Sequence, residues 1–260
     1  MKYGLLPRQH DQRIPHYSSV RSMRAIQIPV LPFDMSNDTL PDDFGVKLND
    51  RLGSCAIAGP YTLMQIAVKQ AMGSLMQIPD QCVEQAYAEV GGYRRDAVLA
   101  ADGSNPTDQG CALQDVLKYW LNVGFPMPDG SRHKILGFVE VDPRNKQDMC
   151  EVAMECAATL IGMGVPRLLP EDPGSSWGAD LGPTEGRHCI VLPRYNNPAS
   201  PTFGARSWGD KYSLLPGFDP NIDEAYGVID PYFVKDDGKT PWNLDLAAWE
   251  ALMQAIREQM

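Results

Sequence analysis

The chain has 260 residues, 33 acids against 23 Lys and Arg, and a net charge of −10. A field of that sign repels phosphate backbones and excludes general nucleic-acid binding. Hydrophobic residues at 43% and charged residues at 22% are ordinary globular usage, which excludes global disorder, and no apolar run of about 18 residues is present to make a membrane span.

The first residues, MKYGLLPRQHDQRIPH, carry no apolar secretion core, which points to a cytoplasmic protein. Over residues 1–44, Pro7, Pro15, Pro29, Pro32 and Pro41 keep interrupting any helix, so an extended arm laid over a body is expected. Ser54–Ala71 reads as a helix, apolar nearly all round and therefore buried, with Ser54 as N-cap and Gly73 closing it. Pro60 inside it predicts a kink or a delayed regular start. Helical spacing returns over 80–90 (Val83, Ala86, Tyr87, Val90) and 111–122 (Leu113, Val116, Leu117, Trp120, Leu121), with a long loop between.

Beyond residue 130 the pattern changes. Ile135–Val141 alternates like a strand, and Met149–Met163 reads as a helix. Cys189–Leu192, Phe203–Arg206, Ala225–Ile229 and Tyr232–Val234 read as short strands between Pro, Gly and Asn turns. A helix over 244–258 with a Trp249, Leu252, Met253 and Ile256 stripe ends the chain. A helix-rich half followed by a strand-rich half predicts α+β with two lobes. The expected division is an arm over 1–44, a helix-rich lobe over 45–130, a β-rich lobe over 131–242 and a C-terminal amphipathic helix over 243–260.

Cysteines stand at 55, 82, 111, 150, 156 and 189, with no CxxC pair, and read as buried core thiols apart from Cys55. No zinc site is expected. The acidic stretch Asp219–Asp230 lacks the ligand alternation of a calcium loop. His10 and His16 fall in the arm, and His133 in a turn that should be solvated.

Cys55 opens a helix directly after Gly53-Ser54, where the macrodipole favours a thiolate. A thiolate nucleophile needs a base, normally His. Of the four histidines, His188 begins the strand-like run GRHCIVLPRY, a rigid position that can face a cleft.

These residues resemble the papain-like cysteine peptidases, in their propeptide-free bacterial and phage form. The resemblance rests on Gly53-Ser54-Cys55 at a helix start and on His188 downstream. It rests also on Arg206-Ser207-Trp208-Gly209 where the family has Asn-Ser-Trp-Gly, on the Asp108–Leu113 segment before a helix, and on the Leu6–Arg13 run of the arm. It implies a papain-like two-lobe α+β fold with the cleft between a helical and a β-rich lobe, the arm strapped across the latter. It implies Cys55 as nucleophile, His188 as acid/base, Asn49 at the oxyanion-donor position where the family has Gln, and Trp208 as a water shield. Arg206 stands where the family's orienting Asn would be. Arginine has no acceptor, and its charge disfavours an imidazolium; Asp210, Asn196 or Asn197 are candidates to replace it.

The implied reaction is amide hydrolysis of a peptide or protein through a Cys55 thioester, with no cofactor. The departure at Arg206 keeps open a catalytically silent structural or assembly protein, such as a bacteriophage virion or tail component. In that reading the arm and the C-terminal stripe would make homo- or hetero-oligomer contacts. A third reading is transglutaminase-like acyl transfer with Asp210 as orienter.

Overall fold

The computed structural model describes residues 2–23, 30–240, 245–247, 249–251 and 254. Along the chain come α1 (Tyr17–Met23), β1 (Asp34–Ser36), α2 (Cys55–Met72), α3 (Asp80–Gly91), α4 (Leu113–Asn122), β2 (Phe125–Pro126) and β3 (Arg132–His133). There follow β4 (Gly137–Val141), α5 (Lys146–Glu155), β5 (Thr159–Pro166), β6 (Ser176–Trp177), β7 (Thr184–Asn196), β8 (Thr202–Ser207), β9 (Asp210–Leu214) and β10 (Ile222–Ile229). The larger sheet runs β4-β10-β5-β7-β8-β9-β6, with β1 added against the end of β7.

Strand β7 divides the interior into two cores. Successive strand residues leave opposite faces. Cys189 and Val191 join the core built on α2, α3 and α4 with Ile57, Ile66, Tyr87 and Trp120. Ile190 and Leu192 join the core built on α5 with Val152, Ile161 and Trp177. The sheet thus carries a helical lobe on one side and its own covering helix on the other, an α+β arrangement.

Helix α2 is nearly all apolar and is buried on every side, with each residue from Cys55 to Val68 buried, the polar Thr62 and Gln65 included. It packs so closely on the sheet that a Cβ at Gly59 would fall 2.8 Å from Cys189 Sγ. The helix is unbroken at Pro60; the lost backbone bond is offset by burial on all sides. All six thiols are free and buried.

The expected helix over 149–163 is corrected. It ends at Glu155, Ala157 turns left-handed at φ 60°, and Thr159–Pro166 is the long central strand β5. Tyr232–Val234 is no strand: Pro231–Phe233 is a single 3-10 turn, with the Asp230 carboxylate accepting the Tyr232 N–H at 2.9 Å. His133 is buried rather than solvated, accepting Trp120 Nε1–H at Nδ1 (3.1 Å) and stacked on Tyr232. Of the C-terminal stripe, Trp249 is buried, while Leu252, Met253 and Ile256 lie outside the described residues.

The arm is less irregular than its prolines suggest, since α1 and β1 form within it. Its later part does lie on the β-rich lobe: Arg8 pairs with Glu140, Glu140 N–H donates to Pro15 O, and Tyr17 and Arg21 reach Glu155 and Asp148 on α5. Its first part does not. Residues 4–6 run between the lobes, Leu5 N–H donating to Arg187 O (3.3 Å) while Cys111 N–H donates to Gly4 O (2.9 Å) and Leu6 N–H to Cys111 O (3.0 Å).

Candidate active site

Cys55 is the first residue of α2 and is fully buried. Ser54 occupies the N-cap position, but its side chain makes no capping bond. Burial pushes the Cys55 thiol up to about 11, against the N–H groups of Gly4, Cys189, Ala56 and its own, which favour the thiolate. The expectation of a helix-stabilised thiolate is therefore corrected: desolvation outweighs the macrodipole here.

His188 lies on β7, and its Nε2 sits 2.7 Å from Ser207 Oγ. Its ring stacks on Trp208 with centroids 4.3 Å apart and planes at 17°. Burial pushes this imidazole down to about 3, so base and thiol are both neutral. Nδ1 has no hydrogen-bond partner. The Cys55 sulfur is met instead by the Cys189 N–H, one residue beyond His188. Strand alternation explains the offset: Cys189 Sγ abuts α2 at Gly59, while the His188 ring is turned onto Trp208.

Trp208 and Gly209 form the two-residue turn between β8 and β9, both left-handed at φ 47° and 82°. Such turns favour Asn-Gly; tryptophan there is sterically costly. The strained turn is what folds the Trp208 ring back over His188.

Arg206 does not approach His188. Its guanidinium, 1% exposed, hydrogen-bonds the Asp38 carboxylate through Nε (2.9 Å), Leu40 O (2.6 Å) and Pro41 O (2.9 Å). It tethers the arm rather than the base. Of the proposed substitutes, Asn196 Oδ1 accepts from Thr202 N–H, Asn197 forms a left-handed turn, and Asp210 pairs through its backbone with Ser207. The contact to His188 is made by Ser207, a residue the sequence reading passed over although it lies in the quoted Arg-Ser-Trp-Gly run.

Asn49 is buried, and its Nδ2 donates to Lys2 O (3.2 Å) and Leu52 O (3.3 Å). The arm thus occupies the amide donor as well as the thiol. Gly4 passes where no side chain fits: a Cβ there would fall 1.8 Å from Gly53 O, and one on Gly110 would fall 2.0 Å from Gly4 O. The sulfur faces the Gly4 N–H, a donor, rather than a carbonyl carbon it could attack. Tyr3 fills the space beside the base, 6.1 Å from the His188 ring and 6.2 Å from Trp208, with its hydroxyl donating to Glu171 at 2.5 Å.

No family model and no curated protein matches the sequence. Solved structures do match. Xylellain, a cysteine protease from Xylella fastidiosa, aligns over 88% of this chain and 95% of its own at TM-score 0.61 and 16% identity. The chain has a papain-like fold. Procathepsin B S9 from Trypanosoma congolense aligns over 88% of this chain and 86% of its own at TM-score 0.61 and 9% identity. The bromelain protease from Ananas comosus, solved with the E64 inhibitor, aligns over 76% of this chain and 99% of its own at TM-score 0.52 and 11% identity.

Among the described residues no helix is long and apolar enough to cross a membrane, and no group of three His, Cys, Asp or Glu is placed to hold a metal ion.

Proposed function

We propose that the chain is a thiol peptidase kept latent by its own arm. Cys55 is the nucleophile, His188 the acid/base, and the Cys55 N–H with Asn49 the oxyanion donors. The observation that carries this reading is the arm itself. Residues 2–6 lie extended between the lobes, with a peptide N–H on the Cys55 sulfur and a peptide carbonyl on Asn49 Nδ2. The cleft therefore holds an extended peptide where the chemistry would occur. Ser207 and Trp208 fix the His188 ring, and Arg206 is neutralised elsewhere by Asp38. Once the arm leaves, water reaches the cleft and the desolvation that keeps thiol and imidazole neutral is relieved. Attack by the thiolate would then give a thioester, with His188 protonating the leaving amine and later activating water.

The unpartnered His188 Nδ1 and the lack of a bond to Cys55 favour a second reading, a silent papain-like structural or assembly module. Turnover of quenched peptides decides between them, in the protein and in a Gly4→Ala variant that cannot seat the arm. Cleavage that rises in the variant and vanishes with Cys55→Ala supports the latent peptidase. No cleavage in either supports the silent module.

A further inference from the structure

We infer that Asp108 is the specificity residue of this cleft and selects a substrate with Lys or Arg at the residue that supplies the scissile carbonyl. The inference rests on the peptidase reading above.

Asp108 lies against the loop that leads into Cys55. Its side chain is 4% exposed, and its Oδ1 accepts the Gly53 N–H at 2.9 Å, two residues before Cys55. The same Oδ1 accepts the Tyr87 hydroxyl at 2.7 Å, and that hydroxyl accepts the Gly110 N–H at 2.7 Å. The carboxylate is thus fixed by two donors of the helical lobe, one from the loop before α2 and one from α3. Burial opposes its ionisation, but the Lys2 ammonium, the Tyr87 hydroxyl and the Gly53 N–H together hold it below the usual carboxylate range. Oδ2 faces the cleft, where Lys2 Nζ of the arm occupies it at 2.8 Å.

Lys2 makes a second contact that gives the first its meaning. Its backbone carbonyl accepts from Asn49 Nδ2 at 3.2 Å. One residue therefore places its carbonyl on the oxyanion donor and its ammonium on Asp108. A substrate residue whose carbonyl is to be attacked puts its oxygen in the same place, so its side chain comes within reach of Asp108. When the arm leaves, Asp108 keeps its two fixed donors and loses its cation. A buried carboxylate with a vacant cation position favours an incoming Lys or Arg and disfavours Glu or Asp.

The test separates recognition from catalysis. In a Lys2→Ala, Gly4→Ala, Cys55→Ala protein, whose arm cannot seat and which cannot cleave, binding of an acetylated peptide amide ending in Lys is compared with its norleucine analogue by calorimetry. The Lys peptide should bind about tenfold or more tightly, the scale of a charge-assisted hydrogen bond. Adding Asp108→Asn should bring the two together. Equal binding, no binding of either, or a preference that survives Asp108→Asn overturns the inference. Cleavage of the same two sequences by the Lys2→Ala, Gly4→Ala protein, with Cys55 intact, reports separately on the peptidase reading. If Lys is preferred in binding and nothing is cleaved, the peptidase fails while the recognition site stands.

Discussion

His188 Nε2 and Ser207 Oγ are 2.7 Å apart, and both are buried. A hydroxyl can accept from an imidazole N–H as an amide oxygen does, so the ring keeps a fixed orientation although Arg206 cannot supply one. In the Gly4→Ala background, where the arm is unseated, Ser207→Ala should lower kcat roughly 10- to 100-fold, part of the 10²–10⁴ that a positioned acid/base contributes. KM should hardly change, and Ser207→Thr should restore most of the rate. Equal rates in that background with and without Ser207→Ala would remove Ser207 from the site.

Gly4 lets the arm pass between Gly53 and Gly110. Gly4→Ala should unseat it and make Cys55 accessible. Iodoacetamide should label Cys55 slowly in the protein, with the rate rising only as pH nears about 11, where burial has pushed the thiol. In Gly4→Ala the rise should move to lower pH and depend on His188. An unchanged profile in that variant would mean that the arm does not control the thiol.

The buried imidazole makes stability depend on pH. His188 in the folded chain is pushed down to about 3, below an ordinary value of about 6.5. Between those limits the unfolded chain binds a proton that the folded chain does not, so the stability His188 contributes falls as pH drops from about 6.5 toward 3. The unfolding free energy of the protein minus that of His188→Gln should shrink on acidification from about pH 7 to about pH 4. A difference that stays constant would argue against a neutral, dry imidazole.

Arg206 and Asp38 form a pair with side chains 1% and 8% exposed. Breaking one partner leaves a buried charge, at a cost of about 3–5 kcal/mol. Asp38→Asn should therefore lower Tm by roughly 6–20 °C for a chain of this size. It should also loosen residues 38–41 to proteolysis, since Leu40 O and Pro41 O share the same guanidinium. A shift of a degree or two would mean that the pair is solvated.

Much of this arrangement is legible in residue order. The apolar run from Cys55 to Val68 announces a buried helix because a helix apolar on every side needs neighbours on every side. Gly53-Ser54-Cys55 and His188 mark one thiol and one histidine, and turn residues separate the short strands. The boundary at 155–159 was not legible. Met149–Met163 keeps helical spacing, and the switch to β5 is set by pairing with β7 and β10, which are distant in sequence.

What the sequence determined by itself was local: which segments are apolar, where a cysteine meets a helix start, and that Arg206 lacks an acceptor. What only the tertiary structure decided was relational. It sent Arg206 to Asp38 and Ser207 to His188, laid Lys2 on both Asn49 and Asp108, and threaded Gly4 past Cys55. It also reversed the charge expectation, because a macrodipole is read from chain position whereas desolvation depends on everything packed around the sulfur.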